Sequence, residues 1–205
     1  MKKGILAALT VVLILSGCAT SDPLQKLTYA DNLIWDQYRP LPAERLIIEA
    51  MEIYQEQNDS HGLGKAYAHY GDFLLSPAVD KWSNYYRENG FRDKSVTFGI
   101  RVAKSKEYFT KAMGYYQAAE KPLQDSEKFD ALTNLYFNMA WVYYRLDDRK
   151  NSCEFYDKSL AAYKENIRRN PTAKPQVASG YKTPADQIAD EKKRAGCEAN
   201  EAKGK

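Results

Sequence analysis

Small and large hydrophobic residues recur at helical intervals in three stretches of the chain, AERLIIEAMEIYQEQ, KSKEYFTKAMGYYQA and NSCEFYDKSLAAYKE. In each stretch a small residue stands four positions before a large one: Ala43 before Ile47, Ser105 before Phe109, and Ser152 before Tyr156. A small residue and a large one follow three positions later: Ala50 and Met51, Ala112 and Met113, and Ser159 and Leu160. This spacing places the residues of each stretch on one face of a helix. The pattern predicts three α-helices, each with a narrow apolar face that a neighbouring helix can approach.

Two further stretches, GKAYAHYGDFLL and TNLYFNMAWVYY, alternate with the first three and share a second helical pattern. Their matching positions are Tyr67, Tyr70, Gly71 and Leu74 in one stretch, and Tyr136, Met139, Ala140 and Tyr143 in the other. No stretch of the sequence has the sustained two-residue alternation with β-branched residues that is typical of a strand. The fold class predicted from the sequence is therefore all-α.

The alternation of these two helix types resembles the tetratricopeptide repeat, a helix-turn-helix unit of about 34 residues. The closest match is EAMEIYQEQNDSHGLGKAYAHYGDF, and the best full unit runs from about residue 134 to 163. A first unit precedes them. It matches the repeat less well, because Asp31 stands where a small residue is usual. The resemblance implies a helical-hairpin superhelix of about three repeats over residues 24–168, with an insertion at about 76–99 and a C-terminal capping helix.

Stacked repeats of this family form a superhelix whose concave groove is lined by the first helix of each unit. The inward-facing positions of the family imply these groove residues: Lys65, Ala68 and Asp72 in the middle unit, and Asn134, Phe137, Trp141, Tyr144 and Arg145 in the last. In the weaker first unit they are Asn32, Trp35 and Asp36. Trp, Tyr and Arg are enriched at binding hot spots, so the resemblance predicts a protein-binding groove. The alternative is that Phe137 and Trp141 pack against the C-terminal helix or the insertion.

The insertion contains DKWSNYYRENGFRDK, in which aromatic residues are interspersed with charges. Its aromatic residues form a second candidate interface: Trp82, Tyr85, Tyr86 and Phe91. Exposed aromatic clusters usually mark interaction sites. Two alternatives stay open, because the insertion either folds back over the groove or contacts the partner itself.

The chain begins with Met and two lysines, followed by an apolar run of about eleven residues and the sequence Leu15-Ser16-Gly17-Cys18. This order predicts a secretory signal peptide over residues 1–17, because the apolar run is far shorter than the roughly 20 residues of a membrane-spanning helix. The four residues Leu15-Ser16-Gly17-Cys18 resemble the lipobox of bacterial lipoproteins. The resemblance implies lipidation of Cys18 and a lipidated tether over residues 18–23. Because Ala and not Asp stands at position 19, it also implies anchoring in the outer membrane, facing the periplasm, with the cell surface as the alternative.

After the last repeat, NPTAKPQVASGYKTP carries three of the eight prolines and predicts an extended linker over residues 169–183. Thr183-Pro184-Ala185-Asp186 then supplies an N-cap, a proline at the first helical position and an acid three residues after the cap. These residues predict a C-terminal helix over residues 184–197. The remaining residues, 198–205, are polar, and we expect a disordered tail.

Cys153 and Cys197 are the cysteines that remain after Cys18. In an oxidising periplasm such a pair favours a disulfide, which would close a loop of roughly 45 residues and hold the C-terminal helix on the last repeat. Two buried free thiols are the alternative. A zinc site is not expected, because His61 and His69 stand in no ligand-spacing motif with the cysteines.

Charge and short motifs narrow the range of functions. Removal of Lys2 and Lys3 with the signal peptide leaves 28 basic against 27 acidic residues, so we do not expect a nucleic-acid surface. Asp59-Ser60-His61 contains the residue types of a hydrolase triad, but such close neighbours do not generally converge on one reacting atom. GLGK lacks the glycine spacing of a phosphate-binding loop. No catalytic residue, metal or cofactor is predicted.

The sequence therefore predicts a non-catalytic adaptor or scaffold that binds a protein client of the cell envelope and reaches the membrane through its lipid. It resembles the repeat-containing lipoproteins of pilus, secretion, barrel-assembly or peptidoglycan machinery. In the second hypothesis the groove is also the binding site, but what it binds is not a protein client. In that case the protein is a periplasmic enzyme or a lipoprotein that binds a small ligand such as a glycan.

Overall fold

The structure is a computed structural model that describes residues 22–175, 177–178 and 180–197. This part of the chain forms helices and no strand, so the predicted all-α class is confirmed. The helices are α1 (Pro23–Trp35), α2 (Pro40–Glu56), α3 (Ser60–Leu74), α4 (Pro77–Lys81), α5 (Ser83–Asn89), a 3₁₀ turn (Phe98–Ile100), α6 (Arg101–Asp125), α7 (Phe129–Arg145), α8 (Arg149–Arg169) and α9 (Pro184–Arg194). None of these helices is long and apolar enough to cross a membrane. The predicted signal peptide, Cys18 and the tail 198–205 lie outside the described residues.

Short polar side chains fix where several helices begin and how the chain turns between them. Asp22, Asp59 and Asp148 cap α1, α3 and α8 by accepting hydrogen bonds from N–H groups of the first turn. Four of the tight turns between consecutive helices contain one residue with a left-handed backbone: Tyr38, Asn58, Glu127 and Asp147. Such short connections make successive helices antiparallel neighbours.

Three pairs of helices form hairpins: α1 with α2, α3 with α6, and α7 with α8. Contacts of α2 with α3 and of α6 with α7 join the hairpins into one row. The small residues of the predicted stripe lie at these contacts, where Ala43, Ala50 and Ala112 are fully buried. The two helices of the middle hairpin approach closely at Gly64 of α3, where a Cβ atom would lie 2.4 Å from the ring of Tyr116 on α6. Small side chains therefore allow α3 and α6 to pack closely enough to form one wall of the site.

The insertion separates the two helices of the middle hairpin and is tied to the first hairpin by a buried carboxylate. Glu44 of α2 accepts hydrogen bonds from the Tyr70 hydroxyl at 2.9 Å and from the Arg92 N–H at 2.6 Å. Burial raises the pKa of Glu44, although both hydrogen bonds and the charge of Arg92 oppose that effect. The Glu44 carboxylate thus holds the inserted segment at Arg92.

Two of the four aromatic residues predicted for a second interface belong to the core. Tyr86 and Phe91 stack with 4.3 Å between ring centroids, and each is only 1% exposed. The prediction is wrong for these two residues, because both rings pack edge-on against Phe73 of α3. Trp82 and Tyr85 remain exposed on the surface of the insertion.

The connection between α6 and α7 is short, because α6 continues through Pro122 to Asp125 and α7 begins at Phe129. The Ser126 hydroxyl donates a hydrogen bond to the Pro122 carbonyl at 2.7 Å and satisfies one acceptor at this helix end.

Helix α9 packs on α8 of the last hairpin. It begins with a reciprocal capping box between Thr183 and Asp186. Ile188 enters the core of that hairpin, where it is 1% exposed. Beyond the helix, Cys197 forms a disulfide with Cys153 of α8, with 5.5 Å between the Cα atoms. The end of α9 is therefore covalently held against the last hairpin.

Candidate functional site

A cavity of about 550 Å³, hereafter the groove, lies between α1, α3, α7 and α9. Its main walls are Leu24, Asp31 and Trp35 of α1, Lys65, Ala68, His69 and Asp72 of α3, and Asn134, Phe137, Asn138, Trp141 and Arg145 of α7. Gln187 and Glu191 of α9 and Tyr116 of α6 complete the lining. The first helix of each hairpin therefore faces one common space.

Seven of the eight groove residues predicted in the middle and last units line this space: Lys65, Ala68, Asp72, Asn134, Phe137, Trp141 and Arg145. Tyr144 does not line it and is exposed beside Trp141, over a smaller cavity between α7 and α9. Among the first-unit positions, Trp35 lines the groove, whereas Asn32 and Asp36 are not part of its lining. The described part of the insertion contributes no lining residue, and α9 supplies the remaining wall.

Asp72 holds together two of the predicted binding residues. The Trp141 indole N–H donates a hydrogen bond to Asp72 Oδ2 at 3.1 Å. Arg145 Nε lies 2.8 Å from Asp72 Oδ1, as an ion pair without the N–H alignment of a hydrogen bond. Burial raises the pKa of Asp72, whereas Arg145 and Trp141 act to lower it. The carboxylate thus links α3 to α7 across the base of the groove.

His69 and Asp31 form a second link, between α3 and α1. The imidazole Nδ1 lies 3.0 Å from the Asp31 carboxylate. Burial acts to lower the pKa of His69, but the carboxylates of Asp31 and Asp72 outweigh it, so the pKa is raised. The Asp31 side chain is 43% exposed, so solvent screens the pair and its contribution to stability is modest.

These links leave out two charged lining residues, Lys65 and Glu191, and Glu191 pairs with Arg194 of its own helix. Lys65 differs from it. It has no hydrogen bond or ion pair with another described residue. Burial lowers the pKa of its ammonium group, and the negative charge of Asp59 only partly opposes the effect. Lys65 therefore presents a half-buried positive charge to the groove.

Aromatic side chains form the apolar part of the lining. Trp35 is 46% exposed. Phe137 and Trp141 are half-buried, and Phe137 packs edge-on against Tyr156 of α8 with 5.6 Å between ring centroids. Both residues therefore contact the protein's own helices and still present surface to the groove. Such rings can hold an apolar side chain or the face of a sugar.

Sequence reasoning missed several lining residues. His69 and Asn138 are two of them, and each directly follows a residue predicted for the groove. The four-residue helical spacing from Lys65 to His69 was the signal that could have identified His69. Gln187 and Glu191 gave no such signal, because their place depends on how α9 docks and not on its own pattern.

The triad residue types near the start of α3 do not form a catalytic arrangement. Asp59 caps the helix through the Gly62 N–H at 2.9 Å. The Nε2 atom of His61 is buried without a hydrogen-bond partner among the described residues, and its ring meets Tyr116 edge-on. These residues stabilise the start of the helix and the packing against α6.

The groove can bind a ligand through aromatic contact, through the indole and amide groups, and through the charge of Lys65. In the described ranges, no three His, Cys, Asp or Glu side chains come together as a ligand set for a metal ion. Comparison with protein-family models, with curated proteins and with solved structures finds no match for this chain.

Proposed function

We propose that this protein is a non-catalytic adaptor that holds a protein client of the bacterial cell envelope in the groove. One observation carries the proposal: the first helices of three successive hairpins place Trp35, Asp72 and Trp141 around a single space. Aromatic and charged side chains at the centre of a concave surface are typical anchors for a helix or an extended peptide.

The order of the hairpins supports a stack of the tetratricopeptide type. The pairs α1 with α2, α3 with α6, and α7 with α8 follow the sequence-based assignment of first and second helices. In such a stack the first helices line the concave face, and here they line the groove. The inserted helices α4 and α5 are then an addition within the middle unit.

The proposal includes a lipid on Cys18 and attachment to the outer membrane on the periplasmic side. Helix α1 begins at Pro23, and Leu24 already lines the groove. The residues between Cys18 and the start of α1, even if fully extended, span at most about 20 Å. A lipid at Cys18 would therefore keep the groove close to the membrane surface, and more than one acyl chain makes such anchoring stable.

Labelling of growing cells with radioactive palmitate tests the anchor. We expect label in the wild-type protein and none in Cys18→Ser, which should also leave the membrane fraction. The variant with both Cys153→Ser and Cys197→Ser is the matched control and should keep its label. An unlabelled wild-type protein would exclude the lipid without testing the groove.

Site-specific photocrosslinking tests the adaptor. A photoreactive amino acid at Asn138 lies in the groove, whereas one at Gln117 lies on the exposed side of α6 and serves as the control. We expect one discrete protein adduct from Asn138 in intact cells and none from Gln117. Equal adducts from both positions, or no adduct from the groove, would argue against a client in this place.

A small-ligand receptor is the second candidate function, and the size of the groove favours it. A volume of about 550 Å³ falls within the range of pockets that enclose small molecules. Native mass spectrometry of protein purified from the envelope discriminates the two functions. A bound small molecule that is lost in Trp141→Ala supports the receptor, and a protein adduct from Asn138 supports the adaptor.

A further inference from the structure

Lys65 lies where two cavities meet. It lines the groove and also a second cavity of about 440 Å³, which extends towards the linker before α9. Leu24 and Asn134 line both cavities as well. An occupant that runs from the groove into the second cavity must therefore pass the Lys65 side chain.

The acidic residues of the groove are already paired with basic side chains of the protein. Asp31 lies 3.0 Å from His69, Asp72 lies 2.8 Å from Arg145, and Glu191 lies 3.0 Å from Arg194. A ligand amine would therefore have to displace an internal partner. No acidic side chain forms an ion pair with Lys65 within the described part of the chain.

The half-buried charge of Lys65 is unfavourable without an ion-pair partner. Removing a charged ammonium group from water costs free energy unless an opposite charge compensates it. The lowered pKa of Lys65 reflects this cost. Asp59, the acid that acts on it, is engaged as the cap of α3. A negatively charged group of a ligand would remove the imbalance.

The second cavity adds further donors and a second cation. Its lining includes Lys174 of the linker, the carboxamides of Asn134 and Asn166, and the hydroxyl of Tyr163. Lys174 likewise has no ion-pair partner within the described ranges. Asp130 is the acidic residue of this lining, so the two lysines leave an excess of positive charge.

We propose that Lys65, with Lys174 and Asn134 beside it, binds the side-chain carboxylates of an acidic peptide segment that continues from the groove into the second cavity. The proposal rests on the adaptor function and names the chemistry of its client. A carboxylate suits the site better than a phosphate. Phosphates favour arginine forks, and Arg145, the arginine of the groove lining, is engaged by Asp72.

Lysine NMR with capped peptides tests the site in the full chain. The probe is an acetylated and amidated tetraglutamate, which has no terminal charge, and the tetraglutamine peptide is its neutral control. With ¹³C-labelled lysine, we expect the Lys65 Cε resonance to shift saturably with tetraglutamate and not with tetraglutamine. Lys111 of α6 lies over the rings of Tyr67 of α3 and Tyr108 of α6, and its resonance provides an internal reference that should not move.

Variants assign the effect to the charge of Lys65. We expect Lys65→Gln to weaken tetraglutamate binding about tenfold, as for loss of one charge-assisted contact. Lys65→Arg should retain binding within a few-fold, and Lys111→Gln should leave it unchanged. The arginine variant also keeps the test decisive if the glutamine variant fails to fold.

Three results would overturn the proposal: no saturable shift of Lys65, equal tetraglutamate affinity in Lys65→Gln, or tighter binding of capped phosphoserine than of tetraglutamate. The adaptor function is judged separately, from the photocrosslink at Asn138. If that crosslink forms as strongly in Lys65→Gln as in the wild type, the adaptor stands and the acidic site fails.

Discussion

Trp141 on α7 donates its indole N–H to the carboxylate of Asp72 on α3, with 3.1 Å between Nε1 and Oδ2. The same carboxylate holds Arg145 at 2.8 Å. The two groove residues most typical of binding hot spots therefore also stabilise the contact between the middle and last hairpins. Binding and stability depend here on one shared acceptor.

We expect Trp141→Phe to lower the free energy of unfolding by about 1–2 kcal/mol, because the half-buried Asp72 loses a hydrogen bond while an aromatic ring remains. Trp35→Phe is the matched control, since Trp35 is 46% exposed and makes no hydrogen bond with another described residue. Its effect should be close to zero. Urea denaturation followed by circular dichroism measures both variants, and equal losses would contradict the role of the indole N–H.

The stability of the fold should decrease in mild acid because of His61. Burial lowers the pKa of this histidine from 6.5 to about 4, and the nearby Lys65 contributes, while Asp59 opposes. The unfolded chain then takes up a proton on His61 at pH values where the folded chain does not. Its contribution to stability is complete above pH 6.5, decreases as the pH falls, and levels off below about 4.

The variant His61→Phe isolates this effect. Between pH 7 and pH 4.5 we expect the wild type to lose about 2 kcal/mol more of its unfolding free energy than the variant. His69→Gln is the control with the opposite sign, because the raised pKa of His69 favours the folded state at low pH. Urea titrations at the two pH values suffice, and identical pH dependence of wild type and His61→Phe would refute the assignment.

Two glycines in helix interiors should respond in opposite ways to alanine. At Gly64 the new Cβ would lie 2.4 Å from the ring of the buried Tyr116, so we expect Gly64→Ala to destabilise by about 1–3 kcal/mol. At Gly114 a Cβ meets nothing within 4 Å, so Gly114→Ala should stabilise by up to about 1 kcal/mol. Thermal unfolding compares the pair. A Gly64→Ala variant as stable as the wild type would mean that Tyr116 moves freely.

Reduction of the disulfide between Cys153 and Cys197 should loosen α9 and leave the first hairpin intact. The sequence separation of 44 residues predicts a loss of about 2–4 kcal/mol from the chain-entropy effect. Amide hydrogen exchange should become faster in residues 184–194 and stay unchanged in α1 and α2. The variant with both cysteines changed to serine should exchange its amide hydrogens as the reduced protein does, and added reductant should not change its exchange. Unchanged protection of α9 after reduction would show that packing alone holds it.

The sequence predicts the helices well because they depend on local periodicity, whereas the groove residues were implied by the resemblance to the tetratricopeptide repeat. Ala43, Ala50 and Ala112 mark the faces at which helices approach each other, and the structure buries all three. The spacing from Lys65 to Asp72 likewise determines which side chains of α3 share one face. These properties follow from the register of a single helix.

The sequence does not predict features that depend on contacts between distant segments. Tyr86 and Phe91 have the same aromatic and charged surroundings in sequence as Trp82 and Tyr85, yet one pair is buried and the other exposed. The contacts that hold the insertion come from distant parts of the chain, such as the Glu44 carboxylate that accepts a hydrogen bond from the Arg92 N–H, and the local sequence does not show them. The pairing of His69 with Asp31 is hidden for the same reason.

The 26 residues from Leu75 to Ile100 separate α3 from α6, although these two helices pack as one hairpin. The partners α7 and α8 are separated by only three residues, from Leu146 to Asp148. Closing the longer loop costs about 2 kcal/mol more of chain entropy than closing the shorter one. The outer hairpins should consequently form early during folding and the middle pair late, so the surface that they share arises only in the last step of folding.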